Sequence, residues 1–446
     1  MTKIHRISLV LFFISSACFV IWGSSLERSS AAGMADFKAV FYAARCLIHR
    51  TDPYKEDQFW RVYQAENGEV PSDPALYRQF RRAVPICINL PSALFLVVPL
   101  AMLPWGIAHL IWMMLIISSL EIAAFLMWRL AANVSPGMSI FLVCVLLANS
   151  EIALMSGNLA AIAVGLCVIA VWCFVRERFA WAGVLCLAVS LALKPHDGGL
   201  VWLYFLLAGG AYRKRALQTL LVTIALSLGS VAWVSNIAPD WVPELRANIL
   251  ATTAHGDISD PGPDSVNAKS PTMVIDLQAA LSIFDDDPHI YNPISYAVCG
   301  ALLLLLFAAT LKSRHPESDA WFALAAISAL TMLVTYHRPY DAKLLLLSIP
   351  ACAILSAEGG LTGWLAAMVT SAGVVLTGDI SLAILLEIAK KMNVNTATFV
   401  SKVLTLAFTR PASVILLVLA IFYLWVYVRR VFNPGQNASI APPEIP

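Results

Sequence analysis

The sequence predicts an all-α polytopic membrane protein, that is, a bundle of helices that cross the bilayer many times. Hydrophobic residues make up 59% of the 446 residues and charged residues only 13%, about half of the charged share usual in soluble proteins. Apolar segments of helix length recur along the chain, with arginine and lysine clustered between them, which is the pattern of a multi-span protein. The polar residues that separate these segments also fall mainly on one predicted side of the membrane.

The apolar segments follow one another with short polar turns between most of them. They cover approximately 7–24, 86–104, 106–128, 138–154, 158–175, 180–193, 198–211, 216–235, 292–311, 319–335, 341–357, 361–378 and 411–428. The first segment follows a basic N-terminus, as in a signal peptide, but it is long enough to span the bilayer. We therefore expect it to remain as the first helix.

The distribution of positive charge limits the number of crossings. If every segment crossed, Arg178 and the basic cluster 213–215 would lie outside the cell while Lys3 lay inside, which the positive-inside rule disfavours. Omitting one early crossing places these groups and the basic ends of the later loops in the cytoplasm. We therefore expect about twelve spans, with both termini cytoplasmic.

Segment 86–104 is the best candidate for the omitted crossing, because Pro91, Pro99 and Pro104 interrupt it. Each proline removes a backbone donor that lipid cannot replace. We expect this segment to form a re-entrant or interfacial element that covers the first outer loop.

No second domain is visible, and we expect one transmembrane domain over 1–432 followed by a disordered, proline-rich cytoplasmic tail over 433–446. The two long outer loops are 25–85 and 236–291. The second contains the acidic triplet 285–287, which we interpret as a solvated turn rather than a cation site. Nine cysteines without a C-x-x-C pattern indicate neither a disulfide framework nor a metal site. The basic residues are scattered over loop ends and give no nucleic-acid signature.

The first outer loop opens with a short amphipathic stretch. Phe37, Val40, Phe41 and Leu47 recur at helical spacing, which predicts a helix lying in the membrane interface. Asp36 lies at the start of this helix. A carboxylate there acts either as an N-cap or, given the other polar turns on the same side, as an active-site group.

A second polar turn, Lys194-Pro195-His196-Asp197, separates two short apolar runs. Because each run is shorter than a usual span, we expect this turn to lie somewhat below the outer surface of the bilayer. A cation placed there suits a lipid-borne phosphate. The alternative is a snorkelling Lys194 with Asp197 as an N-cap.

A third turn, His337-Arg338-Pro339-Tyr340-Asp341, offers an arginine fork and an imidazole, both of which suit phosphate. The alternative is an ion pair between Arg338 and Asp341 that closes the loop.

One more turn on the same side holds Gly157 and Asn158. Small and amide residues at such a turn either contact a polar ligand or cap the adjoining helices.

Several short motifs of this chain occur in the same order in a known family. They are Ala35-Asp36-Phe37, Asp52-Pro53-Tyr54, the proline-broken stretch 91–104, Gly157-Asn158, Lys194-Pro195, and His337 with Tyr340-Asp341. On these motifs, from about Ala35 to Pro350, the chain resembles glycosyltransferase family 87. That family belongs to the GT-C superfamily of polyprenyl-phosphate-sugar-dependent enzymes and includes bacterial α-mannosyltransferases.

The resemblance implies a GT-C-type fold whose long first extracytoplasmic loop bears the catalytic carboxylate, here Asp36. The family often has Gly-Gln-x-Asn where this chain has Gly157-Asn158, so the glutamine is missing. The remaining site residues are predicted in two groups. Lys194, His196, His337 and Arg338 would bind the donor phosphate, and Asp52, Tyr54, Asn158, Asp197 and Asp341 would bind substrate or support the site.

This set of residue types fits the chemistry of an inverting sugar transfer. Such a transfer needs one base for the acceptor hydroxyl, and a phosphate leaving group needs cationic stabilisation rather than a second acid. We therefore expect Asp36 to act as general base. No carboxylate cluster near Asp36 suggests a metal site, and no nucleotide-binding motif indicates a cofactor.

The expected partners are a polyprenyl-phosphate-linked sugar, with mannose implied by the resemblance, a glycolipid or glycan acceptor, and the lipid bilayer; nucleic acid is not expected. The expected location is the bacterial inner membrane, with the active site facing the periplasm or exterior.

The alternative function is a transporter or flippase of a glycolipid or other phosphorylated lipid, in which the same cations would line a substrate path. Transporters tend to have internal repeats and binding residues near the bilayer midplane. This sequence shows no repeat, and its charged turns cluster at one face, which favours the enzyme.

Overall fold

The computed structural model describes residues 3–30, 33–66, 68–270, 272–313, 316–392 and 398–432. The described residues are 79% helical and form no strand, so the all-α prediction is confirmed. The predicted disordered tail 433–446 lies outside the described residues.

The helices are numbered in chain order. They are α1 (Lys3–Ser29), α2 (Ala35–Ile48), α3 (Glu56–Ala65), α4 (Pro74–Ala83), α5 (Pro91–Ala101), α6 (Trp105–Ala132), α7 (Pro136–Leu147), α8 (Glu151–Ser156), α9 (Leu159–Val175), α10 (Ala180–Leu193), α11 (Pro195–Ala208), α12 (Gly210–Ile237), α13 (Trp241–Thr252), α14 (Leu277–Leu281), α15 (Pro288–Lys312), α16 (Pro316–Val334), α17 (Ser348–Glu358), α18 (Gly360–Leu376), α19 (Asp379–Lys391), α20 (Phe399–Thr409) and α21 (Pro411–Phe432). A 3₁₀ helix over Asp341–Leu347 lies between α16 and α17.

Among the described residues, 6 helical stretches are long and apolar enough to cross a membrane. They are Ile4–Ser29, Trp105–Ala132, Pro136–Ser156, Gly210–Ile237, Pro288–Lys312 and Pro411–Phe432. Helices α18 and α19 meet the requirement together, but the chain bends by 74° between them. Several other apolar helices have only 10–17 residues, below the roughly 20 that a straight span prefers. The prediction of about twelve spans therefore stays a prediction.

The proline-broken segment forms the short helix α5. Pro91 occupies its first turn, where the missing N–H breaks no intrahelical bond, and Pro99 lies inside it. Its 11 residues give a length of about 16 Å, roughly half of the hydrocarbon thickness of a bilayer. The helix packs against α2, α10 and α12, and Ser92 Oγ donates a hydrogen bond to the Ala192 carbonyl at 2.7 Å.

The predicted helix of the first outer loop is α2. Phe37, Val40 and Phe41 are buried, as their spacing predicted, but Tyr42 and Cys46 are buried too. Helices α3, α4, α5 and α8 surround α2, so it is packed within the protein on more than one side. This burial gives the beginning of α2 a fixed position.

Two apolar clusters hold the described helices together. The larger one contains side chains of α7, α9, α16 and α21, and the smaller one is built around α2, α5, α8 and the beginning of α9. Leu193 and Tyr340 also belong to the smaller cluster. The first outer loop therefore packs directly beside the turns at 194–197 and 336–341.

The second long outer loop is held to the same region by hydrogen bonds. Ile275 N donates to the carbonyl of His337 at 3.0 Å. Arg410, only 2% exposed, donates to the carbonyls of Ala268 at 3.1 Å and Gly262 at 3.3 Å. Within the acidic triplet, Asp287 accepts a hydrogen bond from His289 N at 2.8 Å and caps α15; the interpretation of the triplet as a solvated turn stays a prediction.

Candidate active site

Asp36 lies in the first turn of α2, but it does not cap the helix. The N-cap is Met34, which has φ 57° and ψ 26° and makes no capping hydrogen bond with its side chain. Asp36 instead accepts a hydrogen bond from Asn158 Nδ2 at 2.8 Å. The interpretation of Asp36 as an N-cap is therefore wrong, and its carboxylate is positioned by a residue 122 positions away in the sequence.

Asn158 joins three parts of the site. Its Oδ1 accepts from Ala160 N at 2.8 Å and caps α9, while its Nδ2 donates to Asp36 and, at 3.0 Å, to the Tyr340 hydroxyl. An asparagine amide has both an acceptor and donors, so one side chain caps α9, as one of the two alternatives for this turn predicted, and also bonds to two other site residues.

Gly157 allows this turn to approach α2 closely. Its φ is +66°, and a Cβ at this position would lie 2.5 Å from Met34 Sδ and 2.9 Å from Phe37 Cβ. Glycine is thus required here for both backbone conformation and space. Trp112 Nε1 also donates to the Gly157 carbonyl at 2.8 Å.

Lys194 lies between α10 and α11 and pairs with Asp341 of the later turn. Its ammonium donates to Asp341 Oδ1, lies 3.7 Å from Asp197 Oδ2, and is 5.5 Å from the centre of the Tyr340 ring. The alternative of a snorkelling lysine next to an N-capping Asp197 is wrong, because Lys194 is held by a partner 147 positions away. Asp197 makes no capping bond to α11.

Arg338 directs its guanidinium away from Asp341. It donates to the Tyr336 hydroxyl and, at 2.9 Å, to the Ile258 carbonyl of the second outer loop. Burial alone would lower the pKa of Arg338, but Tyr336, Tyr340 and Asp36 together raise it, so the guanidinium stays cationic.

The turn itself is closed in another way than the sequence suggested. Asp341 Oδ2 accepts from the backbone N–H of Arg338 at 2.6 Å. The alternative of an ion pair between the two side chains is therefore wrong: Asp341 bonds to the backbone of Arg338, and the guanidinium has other partners.

His196, Asp197 and His337 form a compact group, which we call the histidine–aspartate cluster. His337 Nε2 lies 3.2 Å and His196 Nε2 3.8 Å from Asp197 Oδ1, and one ligand atom from each residue lies within 4.8 Å of the others. Asp197 and His337 are completely buried. The sequence assigned the two histidines to phosphate, but nothing in it indicated that Asp197 would lie between them.

A second group with metal-ligating side chains, His255, Asp264 and Asp286, lies in the outer loop. Two of its three members are exposed to solvent, and exposed acidic groups of this kind are common without an ion.

Asp52 and Tyr54 lie apart from these residues. Tyr54 N donates to Asp52 Oδ1 at 2.9 Å, and the Tyr54 hydroxyl donates to the Asn89 carbonyl at 2.9 Å. Asn248 of α13 donates to the Tyr54 carbonyl at 2.9 Å. Among the described residues these bonds do not reach Asp36, and they hold the first loop to α13 and to the segment before α5.

Tyr340 and Tyr336 are site residues to which sequence analysis gave no role. Tyr340 accepts from Asn158 and lies beside Lys194, and Tyr336 accepts from Arg338. Tyr340 lay within a motif already identified, but neighbouring charged residues carry a stronger sequence signal than a buried tyrosine does.

The sequence was compared with the models of known protein families. Residues 88–336, more than half of the chain, match the family described as glycosyltransferase family 87. The chain belongs to glycosyltransferase family 87. It is thus a membrane glycosyltransferase, and no curated protein matches it. In this family 87 glycosyltransferase, Asn158 and Lys194 lie inside the matched range and contact Asp36, Tyr340 and Asp341 outside it.

Proposed function

We propose that this glycosyltransferase moves a sugar, with mannose as the first candidate, from a polyprenyl-phosphate donor to a hydroxyl of a lipid or glycan acceptor. The observation that carries the proposal is the link from the Asp36 carboxylate through Asn158 to Tyr340, beside the ammonium of Lys194. A proton acceptor and cations for an anionic leaving group thus lie in one site. Family membership supports the transfer of a sugar.

The proposed step is an inverting displacement at the anomeric carbon. The acceptor oxygen forms a bond to this carbon and gives its proton to Asp36, while the bond from the carbon to the phosphate oxygen breaks. The electron pair leaves with the polyprenyl phosphate. Lys194 and Arg338 stabilise its developing charge, which is the largest contribution that a site of this kind makes to catalysis.

His196 and His337 are assigned to the donor phosphate as well, beside these two cations. Asp341 would orient Lys194 and close the turn that carries Arg338, as its bonds to both residues suggest. Asn158 would orient Asp36, and Asp52 and Tyr54 would support the first loop from a distance.

We propose a GT-C-type arrangement in the bacterial inner membrane, with the site on the extracytoplasmic side and both termini in the cytoplasm. The positive-inside distribution of arginine and lysine supports this orientation. A donor carried by a polyprenyl chain would reach the site from the bilayer.

The test is sugar transfer from labelled polyprenyl-phosphate-mannose to endogenous lipid acceptors in membranes that contain equal amounts of wild type or Asp36→Asn protein. The change removes the proton acceptor and keeps the shape of the side chain. We expect transfer to fall by about 100-fold or more, as for other general bases.

The matched control is Asp57→Asn. Asp57 lies in the same outer loop, is exposed and, among the described residues, pairs with Arg61 on the surface of α3, so transfer should stay at the wild-type rate. Equal transfer by wild type and Asp36→Asn would exclude Asp36 as the base. Absence of transfer from every sugar donor offered, with lipid movement across vesicles instead, would favour the transporter.

A further inference from the structure

The atoms at the centre of the histidine–aspartate cluster lack hydrogen-bond partners. His196 Nε2, His337 Nε2 and both carboxylate oxygens of Asp197 are buried and make no hydrogen bond to the described residues. Lys194 Nζ is 3.7 Å from Asp197 Oδ2 and donates to Asp341 instead. Buried polar atoms are nearly always satisfied, so four such atoms in one place require an explanation.

The tautomer of His337 is fixed by its other nitrogen. His337 Nδ1 lies 2.8 Å from the Thr335 carbonyl, which can only accept, so Nδ1 carries the proton. In the neutral ring, Nε2 then directs a lone pair at Asp197 Oδ1, 3.2 Å away. Two acceptors facing each other in a buried site are unfavourable unless a proton or a metal cation lies between them.

The net charge of the wider site also favours a bound cation. Asp36, Asp197 and Asp341 are opposed by the two cations Lys194 and Arg338, so with neutral histidines three negative charges meet two positive ones. That excess of negative charge would repel the phosphate of a donor. One divalent cation would change the net charge from −1 to +1.

We propose that His196, Asp197 and His337 bind one divalent transition-metal ion of the zinc class through His196 Nε2, an Asp197 carboxylate oxygen and His337 Nε2. Two imidazoles and one carboxylate are a usual zinc donor set that leaves a position open for water or substrate. The bond from His337 Nδ1–H to the Thr335 carbonyl is the outer contact that metal-binding histidines usually have.

Metal binding itself does not depend on the reaction, but the role of the metal rests on the proposed function. The ion would attract a phosphate oxygen of the donor and stabilise the leaving group together with Lys194 and Arg338. His196 and His337 would then act on the phosphate through the metal rather than by direct hydrogen bonds. This proposal replaces the sequence expectation of a site without metal.

The first experiment measures metal content by mass spectrometry after purification in detergent without chelator, using an affinity tag that contains no histidine. Protein is analysed before and after equilibration with Zn²⁺ and removal of the excess. We expect about one zinc per wild-type chain after equilibration and, in the double variant His196→Gln/His337→Gln, at least a roughly tenfold loss.

Two matched control variants should keep the bound zinc if the histidine–aspartate cluster is the metal site. His49→Gln removes a surface histidine that pairs with Glu66, and His255→Gln removes a member of the second group in the outer loop. Each variant is compared with wild type by thermal midpoint and gel-filtration volume. Loss of zinc in His255→Gln alone would show that zinc binds in the outer loop, and this result would overturn the proposal.

Replacement by Co²⁺ tests the ligands without using activity. Cobalt bound by two imidazoles and a carboxylate gives visible d–d absorption bands, which should be present in wild type and absent from Asp197→Asn and from the double variant. A wild-type protein that binds neither Zn²⁺ nor Co²⁺ would overturn the proposal and favour a protonated His337 paired with Asp197.

Treatment with a chelator distinguishes metal binding from a role of the metal in sugar transfer. If transfer is lost on chelation and restored by Zn²⁺, both are supported. If zinc is bound but its removal leaves transfer unchanged, the binding site stands and its role in catalysis is excluded. If zinc is bound but the wild type transfers no sugar, the metal site is supported while the proposed function fails.

Discussion

At the scale of single residues, Asn158 connects the stability of the fold to the position of the proposed base. Its Oδ1 caps α9, and its Nδ2 holds both Asp36 and Tyr340. A helix cap contributes about 1 kcal/mol, whereas the position of a base is decisive for a proton transfer. The two roles are therefore separable by choice of substitution.

The variant Asn158→Ser separates these roles. Serine is a good N-cap, but its short side chain cannot reach both Asp36 and Tyr340, so we expect a thermal midpoint near that of wild type. Sugar transfer should fall by about tenfold or more, because the base loses its orienting donor.

Asn158→Ala is the matched control, since it should lose both the cap, at about 1 kcal/mol, and the rate. Initial rates and thermal unfolding in detergent measure the two effects. A wild-type rate in both variants would mean that Asp36 needs no contact with Asn158.

At the scale of the helices, the short elements position the site and the long ones enclose it. The turn at Gly157 packs against the beginning of α2, and the turn between α10 and α11 places Lys194 opposite Asp341. Sequence periodicity predicted several of these helices closely: α10 spans Ala180–Leu193, as expected from its apolar run. Helix α11 begins at Pro195 rather than at 198, because the polar residues His196 and Asp197 form its first turn.

The variant Gly157→Ala tests the close packing of this turn on α2. The new methyl group would meet Met34 and Phe37, and the positive φ adds strain. We expect a loss of about 2–3 kcal/mol in stability and a large loss of transfer, because the displaced helix carries Asp36.

Gly360→Ala is the matched control. Gly360 has φ +66°, as Gly157 does, but no described atom lies within 4 Å of an added Cβ, so only backbone strain of about 1–2 kcal/mol is expected. Its transfer rate should equal that of wild type once protein amounts are matched. Equal losses of rate in both variants would show that strain alone, and not the contact with α2, determines the effect.

At the scale of the whole molecule, the second outer loop joins the turn of His337 to the end of the chain. Ile275 N bonds to the His337 carbonyl, and the next residue, Asp276, caps α14 by accepting from Ala279 N at 2.8 Å. Burial raises the pKa of Asp276 to about 7, although the hydrogen bond from Ala279 N and the charge of Arg410 oppose this increase. The loop therefore contains a carboxyl group, that of Asp276, whose protonation makes the free energy of unfolding depend on pH.

This pKa predicts the direction of the pH dependence. The unfolded carboxyl group titrates near pH 4, so between about pH 4 and about pH 7 the folded protein binds the proton that the unfolded chain has released. The contribution of Asp276 to the free energy of unfolding is full below about pH 4 and decreases as pH rises to about 7.

Asp276→Asn should remove this decrease, because asparagine does not ionise and its Oδ1 still accepts from Ala279 N. Thermal midpoints in detergent from pH 4 to 8, at one scan rate, measure the slope. The control Asp287→Asn changes a cap that is partly exposed and should leave the slope unchanged. A wild-type slope in Asp276→Asn would assign the pH dependence to other groups.

The amino-acid sequence alone was enough to predict the helical class and most helix positions and to reveal the polar turns and the family resemblance. These follow from hydropathy, proline and charge, which act over a few residues. The groups that meet became clear from the three-dimensional packing: Asp36 lies beside Asn158, Lys194 beside Asp341, and Asp197 between two histidines. The packing also placed Asp52 and Tyr54 outside this site. Such pairings depend on the packing of segments more than 100 positions apart, and no local pattern specifies which cation will lie beside which carboxylate.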